Sequence, residues 1–361
     1  MKHIVIEADA IRQPYVGVGE VCMQLCRRIA ARAPQLRDEH GIRLTFVVPR
    51  KQRGVFGNHV GYISIPHALK FLTWLYPRRI DLFHMTHQFC TFKHFPTARQ
   101  NFMTVHDINF MYEKEGSKRN RYARRFARKL ARLQRISYIS HFTRQDVETR
   151  FPQAQRLPAR VIYNGVTKRD ETDDVSISQH LVERLPQKPY IFHISSLLPK
   201  KNVHLLVEMM QYLRDEQLVI AGNWNSPYGQ QMRQRIGQLG LTNVTCLDNV
   251  SAGEKAFLYH HCRAFAFPSL CEGFGLPPIE AMSFGKPVFL SRLTSLPEIG
   301  GEWAYYWDEL DPKRMADVYL HCMEDFDASP SRAAAIIEST NRFDWDRCAD
   351  EYIDYYLDAL S

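Results

Sequence analysis

At 361 residues the chain exceeds what one ordinary hydrophobic core serves, so two domains are expected. Hydrophobic residues make up 45% of it, yet no apolar run approaches the ~18 residues of a spanning helix, and Met1-Lys-His-Ile-Val-Ile-Glu7 has the pattern of a strand start rather than a signal peptide. The net charge of +8 conceals an asymmetry: residues 1–170 carry 31 Lys+Arg against 12 Asp+Glu, and residues 171–361 carry 16 against 27, which favours two domains with different partners, the basic one facing something anionic.

In chain order, a first strand is expected at His3–Glu7, followed by a Gly17-Val-Gly19-Glu20 turn and an apolar helix from Val21 to about Ala31. Strands follow at Leu44–Val48, Asp81–His84, Asn101–Val105, Ile136–Ser140 and Arg160–Tyr163, with a helix beginning near Thr143. The acidic, polar stretch Thr167–Gln179 suits a linker. Beyond it the pattern repeats, with strands at Tyr190–Ile194, Gln217–Ala221, Val244–Leu247 and Ala264–Phe267 and helical segments between them. Such alternation implies an α/β chain with parallel sheets covered on both faces. Asp344–Leu360 closes the chain as an amphipathic helix carrying Trp345, Tyr352, Tyr355 and Tyr356. Eight scattered cysteines with no C-x-x-C pair are expected to be reduced thiols, and the expected location is the cytoplasm.

The most informative segment is Phe267–Pro287, FPSLCEGFGLPPIEAMSFGKP. A buried strand runs into a turn containing Gly273 and Gly275, and Pro277-Pro278 preset the first turn of a helix continuing through Ile279-Glu-Ala-Met282. A helix N-terminus facing a Gly-rich turn offers amide N–H groups and partial positive charge to an anion such as a diphosphate. Two carboxylates flank it eight residues apart, Glu272 within the turn and Glu280 on the helix, each able to accept hydrogen bonds from hydroxyls. Diphosphate plus polyol describes a nucleotide sugar. Glu280 also suits simple complementation of the helix dipole. Lys200-Lys201-Asn202, after the strand ending at Ile194, adds two cations at another strand end.

This segment, with Lys286-Pro-Val288 and Ser295-Leu-Pro-Glu-Ile-Gly-Gly301, closely resembles the E-x7-E signature of retaining glycosyltransferases of family 4. The resemblance implies the GT-B architecture: two Rossmann-like domains facing a central cleft, residues 1–170 binding acceptor, residues 171–343 binding donor, and the 344–361 helix crossing back to the first domain. It implies donor contacts from Gly17 and Gly19, from Ser196, Lys200 and Lys201, from Asn249 and Val250, from Glu272, Gly273, Phe274, Gly275 and Leu276, and from Glu280 on the ribose. Lys201, Glu272 and His106 of the Thr104-Val-His-Asp107 motif are the implied catalytic residues. Many members carry Arg where this chain has Ser196, which puts the detailed phosphate grip in question. Thr294-Ser-Leu-Pro-Glu298 resembles the loop closing over the donor, although Glu298 equally suits a helix start. No cofactor or metal is expected. His84, His87 and His94 lack an accompanying Cys or carboxylate cluster, and Asp344-Trp-Asp346 lies at a helix start.

Lys118–Arg135 carries nine basic residues and no acid, with Tyr122, Phe126, Leu130 and Leu133 at helical spacing. Arg124, Arg125, Arg128 and Lys129 are taken as its acceptor- or membrane-facing cations; the competing account has its apolar stripe packed on its own domain. No nucleic-acid motif accompanies it. The expected activity is transfer of a hexose-type sugar, with GDP-mannose or a UDP-sugar as donor, to a lipid-linked or phosphorylated saccharide in cell-surface polysaccharide or lipopolysaccharide synthesis. The enzyme would be peripheral on the inner face of the cytoplasmic membrane, with an anionic membrane surface as partner. The alternatives are a nucleotide-sugar 2-epimerase of the same architecture and a non-catalytic nucleotide- or nucleic-acid-binding protein.

Overall fold

The computed structural model describes residues 1–12, 17–65, 79–92, 95, 97–167, 177–248 and 250–361. Residues 168–176 of the expected linker, His94 and Asn249 lie outside this set. The chain forms two compact units, one of Met1–Gly165 with Phe343–Ser361 and one of Val166–Arg342.

The first unit holds β1 (Lys2–Glu7), β2 (Ile42–Val47), β3 (Gly61–Ile63), β4 (Ile80–Met85), β5 (Ala98–Val105), β6 (Arg135–Tyr138) and β7 (Ala159–Val161) in the order β3-β2-β1-β4-β5-β6-β7. The second holds β8 (Tyr190–Ile194), β9 (Gln217–Ala221), β10 (Val244–Leu247), β11 (Ala264–Phe267), β12 (Val288–Ser291) and β13 (Tyr305–Trp307) in the order β10-β9-β8-β11-β12-β13. Every pairing in both sheets is parallel. Helices therefore cover both faces, and the central strands are continuous apolar runs such as Ile4-Val-Ile6 and Ala264–Phe267. In each sheet the strand order reverses beside the first strand, between β1 and β4 and between β8 and β11. Ligands of open parallel sheets bind beyond the carboxyl ends of strands at such a reversal.

The chain-terminal helix Trp345–Leu360 completes the first unit. Asp344 caps it, accepting from the N–H groups of Asp346 and Arg347 at 2.9 and 3.0 Å, so the D-x-D pattern is helix-start chemistry. Its buried face carries Tyr352, Tyr355 and Tyr356 into a polar seam in the sheet. His84 Nδ1 lies 2.7 Å from the Tyr356 hydroxyl and Nε2 lies 2.8 Å from Thr104 Oγ1, which is also 3.0 Å from the Tyr352 hydroxyl. His84 is thus a structural side chain, stacked 4.2 Å from Phe102. The helix start passes so close to Gly165 that a Cβ there would sit 2.4 Å from the Trp345 backbone nitrogen.

Three expectations are corrected. The helix after β1 runs Gly17–Ala31, so Gly17 and Gly19 form its first turn rather than a preceding turn. The basic helix runs Gly116–Leu130, and Arg135 opens β6. Phe126, Leu130 and Leu133 of its stripe enter the core, with Tyr122 packed against it. Arg124, Arg125 and Arg128 are exposed, but Lys129 is not an outward cation. It is 2% exposed, and its ammonium donates to the carbonyls of Gln88 and Cys90 at 2.9 and 2.6 Å. Lys129 follows Phe126 by three residues, so helical geometry turns it inward with the stripe.

Burial pushes the pKa of His84 down to about 3 and that of His106 to about 4. An unfolded histidine titrates near ~6.5. As pH falls the unfolded chain takes up protons first, so this stabilisation is complete above about 6.5 and is lost as pH drops from about 6.5 toward 4. Urea midpoints of the first unit should fall steadily between about pH 7 and about pH 5. A flat midpoint over that window would show that these imidazoles are not held neutral by folding.

Candidate active site

The carboxyl ends of β8 and β11 carry the two most informative motifs of the sequence. Leaving β8, the chain runs through Ser195–Leu198 into a short turn at Pro199–Lys201. Leaving β11, it passes Ser269 and Glu272 before the helix Leu276–Ser283. The Leu270 amide donates to the Lys200 carbonyl at 2.8 Å, tying the loops together. Across this tie the Lys201 ammonium forms an ion pair with Glu272 Oε1, the two side chains being 12% and 13% exposed. Ser269 Oγ donates to the same carboxylate oxygen at 2.6 Å, and the Lys201 ammonium stands 5.1 Å from the Phe267 ring centre. From the loop after β12, Thr294 Oγ1 accepts from the Glu272 amide at 3.1 Å, while Ser295 Oγ reaches the carbonyls of Glu272 and Phe274.

Backbone strain gathers here. Among the described residues the non-glycine positions with positive φ are Leu197 (42°), Asn202 (55°) and Thr294 (55°), all beside this constellation. Each costs on the order of 1–3 kcal/mol, which surrounding structure must offset, and such strain concentrates at functional sites. Gly275 adds a φ of 116° at the N-cap of the following helix. Gly222, after β9, is needed for a different reason: a Cβ would lie 2.4 Å from the Ser195 carbonyl oxygen. His193, fully buried in β8, holds the same loop. Its Nδ1 lies 2.8 Å from the Ala266 carbonyl, which can only accept, so Nδ1 carries the proton and Nε2 accepts from the Ser195 hydroxyl at 2.9 Å. Burial lowers its pKa to about 4 and keeps it neutral.

Glu280 is the fifth residue of its helix, beyond the first turn, and buried. Dipole complementation therefore does not account for it. Its carboxylate accepts from the Lys255 ammonium at 2.7 Å and the Tyr259 hydroxyl at 2.8 Å. Both donors lie on the helix Ala252–His261, and neither was singled out in the sequence. Their i, i+4 spacing after the Ser251 cap was the available signal. Pro277 and Pro278 carry no N–H, so the amides that could meet an anion are those preceding them.

The structure thus gathers Lys200, Lys201, Glu272, Gly273, Phe274, Gly275 and Leu276 at one sheet edge, with Ser196 exposed beside them. Val250 follows the end of β10, where Asp248 accepts from the Trp224 amide at 3.0 Å. Gly17, Gly19 and His106 belong to the first unit. His106 is buried, with its amide donating to Gln88 Oε1 at 3.0 Å. Its Nε2 lies 2.9 Å from the Thr86 carbonyl, so Nε2 carries the proton and Nδ1 is the accepting nitrogen. Among the described residues no group of three or more His, Cys, Asp and Glu side chains is arranged to hold a metal, and no helix is long and apolar enough to cross a membrane.

The family model described as Glycosyltransferase Family 4 matches residues 15–169, and that described as Glycosyl transferases group 1 matches residues 179–336. The chain belongs to glycosyltransferase family 4. This glycosyltransferase is similar to the O-antigen chain mannosyltransferase B of Escherichia coli, at 26% identity over 98% of this chain and 99% of that one. It is similar to the O-antigen chain mannosyltransferase RfbU of Salmonella typhimurium at 26% identity, over 76% of this chain and 74% of that one. Its fold, the GT-B fold, matches the sucrose-phosphate synthase of Thermosynechococcus elongatus with a TM-score of 0.76 at 18% identity, covering 100% of both chains. HepE of Anabaena, solved in complex with UDP and glucose, matches with a TM-score of 0.70 at 20% identity over 99% of this chain and 100% of that one.

Lys201 is expected to hold leaving-group charge, and one such stabilising donor is worth roughly 100- to 1,000-fold in kcat, so Lys201→Ala tests that role. Steady-state kinetics should show kcat falling on that scale with the fold intact. An unchanged kcat would move leaving-group stabilisation away from this lysine.

Proposed function

We propose that this glycosyltransferase moves a hexose from a nucleoside-diphosphate sugar, GDP-mannose or a UDP-sugar, to a lipid-linked or phosphorylated saccharide in cell-surface polysaccharide synthesis, with retention of anomeric configuration. The observation that carries this reading is the pairing of two differently held carboxylates on one turn and helix: Glu272 against Lys201 and Ser269, Glu280 against Lys255 and Tyr259. The first joins acceptor oxygens to a cation at a sheet reversal, which suits a sugar beside a diphosphate. The second is a buried, pre-oriented acceptor suited to a ribose diol. The O-antigen mannosyltransferases among the relatives support both the polysaccharide setting and mannose as donor sugar.

In this mechanism the bond between C1 and the diphosphate oxygen breaks while the acceptor oxygen approaches C1 from the same face. The acceptor proton passes to the departing phosphate oxygen. Lys200 and Lys201 hold the negative charge that develops on the diphosphate. Glu272 accepts from sugar hydroxyls; in the first unit, His106 Nδ1 is the nitrogen suited to accept from a hydroxyl. The exposed cations of the basic helix take the anionic side of the reaction. Arg121, Arg124, Arg125, Arg128 and Arg132 line, with Lys129 and among the described residues, a concave region of about 660 Å³. That surface suits a phosphorylated acceptor or an anionic leaflet.

Two measurements test this reading. Glu280→Gln should weaken nucleotide binding by about tenfold or more in calorimetric titrations, since a charge-assisted hydrogen bond contributes ~1.5–3 kcal/mol; unchanged affinity would remove the ribose role. A thermal-shift panel of GDP-mannose, UDP-glucose and ADP-glucose identifies the base, and product NMR reads the anomer; an inverted anomer would overturn retention.

The triple variant Arg124→Gln, Arg125→Gln, Arg128→Gln leaves Lys129 and the apolar stripe in place. At roughly 1 kcal/mol per basic residue, it should lose on the order of a hundredfold in partition onto anionic liposomes, and added salt should weaken binding of the unaltered protein. Sedimentation indifferent to both the substitutions and salt would remove the docking role from this helix.

A further inference from the structure

The helix Gly116–Leu130 is charged against its own stability. Arg121 and Arg125, Arg124 and Arg128, and Arg125 and Lys129 are like-charged pairs four residues apart, which destabilise a helix. The helix His141–Arg150 does the opposite, pairing Arg144 with Glu148 and Arg150 with Asp146. Arg32 and Arg135 of the same unit meet Asp346, Asp350 and Asp358. Arg124, Arg125 and Arg128 have no hydrogen bond, ion pair or ring contact among the described residues. With Arg121, Lys129 and Arg132 they line a concave region of about 660 Å³, and no acid is among the described residues of that lining. Lys129 is its buried member, 2% exposed. An ammonium has three N–H groups to donate. Two meet the Gln88 and Cys90 carbonyls, and the third has no acceptor among the described residues.

We infer that this hollow binds a diphosphate group carried by the acceptor, with the guanidiniums of Arg124, Arg125 and Arg128 on its oxygens and the remaining N–H of Lys129 meeting one more. A guanidinium presents paired N–H groups that match the oxygens of a phosphate. One phosphate ester brings only about 1.5–2 negative charges, fewer than the unpaired cations here, and a second phosphate in series brings the balance closer. Arg121, Arg125 and Arg128 follow one another at roughly 4.5–6 Å along the helix axis, so phosphates in series meet successive ones. A leaflet draws on the same exposed arginines but needs neither a hollow nor a buried ammonium. In the transferase reading, on which this inference rests, the donor's diphosphate has Lys200 and Lys201 in the other unit. The second cation site is therefore left to the acceptor.

The test is calorimetric titration of inorganic pyrophosphate, inorganic phosphate and geranyl diphosphate into Lys201→Ala protein, in which the donor side is weakened. Pyrophosphate should bind about tenfold or more tighter than phosphate, and adding Arg124→Gln with Arg128→Gln should weaken it by about tenfold or more. Both substitutions are on exposed side chains and leave the core alone. Lys129→Met should weaken pyrophosphate in the same direction; if that variant does not fold, the arginine pair decides. Geranyl diphosphate should bind within roughly threefold of pyrophosphate and lose affinity in the same variants. Equal affinity for phosphate and pyrophosphate, or pyrophosphate binding unchanged by the arginine substitutions, overturns the inference. A site that takes pyrophosphate but not geranyl diphosphate holds a free anion, which also overturns it. So does a loss confined to vesicles of phosphatidylglycerol and phosphatidylcholine in equal parts, which would assign the arginines to a leaflet. If neither GDP-mannose nor UDP-glucose supports transfer by the unaltered protein, the transferase reading fails by itself. The titrations need no turnover and still decide the hollow.

Discussion

Parallel pairing is the constraint from which the rest follows. A parallel sheet sends every strand in the same direction, so every strand's carboxyl end lies on one edge and each crossover helix returns the chain to the other. In this protein that edge collects Ser195 and Lys201 after β8, Gly222 after β9, Asp248 after β10, Glu272 after β11 and Thr294 after β12. The first unit's own sheet has a carboxyl edge too, which collects Gln88 after β4 and His106 after β5. Residues far apart in sequence become neighbours because the topology leaves them nowhere else to go. The strain at Leu197, Asn202 and Thr294 is paid on this edge, where loops are held by hydrogen bonds from adjacent strands rather than by their own conformational preference.

Within the second unit, two acidic residues of similar type are given different surroundings. The two side chains are almost equally exposed, 13% for Glu272 and 11% for Glu280, but Glu272 takes its lysine and its serine on the one oxygen Oε1. Glu280 is packed inside a helix pair, with a lysine on one oxygen and a tyrosine on the other. A carboxylate accepts at several positions around each oxygen. The donors in place fix each group's orientation without exhausting its capacity.

Much of this was legible locally. The strands β8 to β11 fall where apolar runs between turn residues place them, and the glycines and prolines around Glu272 announce the turn and the helix start. Three short strands were not anticipated, Gly61–Ile63, Val288–Ser291 and Tyr305–Trp307, although the equally short β7, β10 and β11 were. The Gly17–Gly19 pair suggested a turn because glycine disfavours helices, yet the helix begins there. Lys129 was taken for a surface cation because its neighbours in sequence are. Its fate is decided by the carbonyls of Gln88 and Cys90, some forty residues earlier, which no local pattern reports. The Lys201–Glu272 pair, 71 residues apart, and the Lys255 and Tyr259 contacts to Glu280 are invisible for the same reason. Family resemblance supplied the candidate residues but not the side chains that hold them.

The helix Trp345–Leu360 belongs to the first unit, although the whole of the second unit precedes it in the chain. On the ribosome, Val166–Arg342 is complete and free to fold before the tyrosines that cover β4 and β5 have been made. The usual order of domain maturation, N-terminal first, is thereby reversed for the last step. Until that helix has been made, the first unit keeps His84, Thr104 and Phe102 without the cover of Tyr352 and Tyr356. A nascent chain stalled or clipped before Phe343 would carry a finished second unit joined to an unfinished first one.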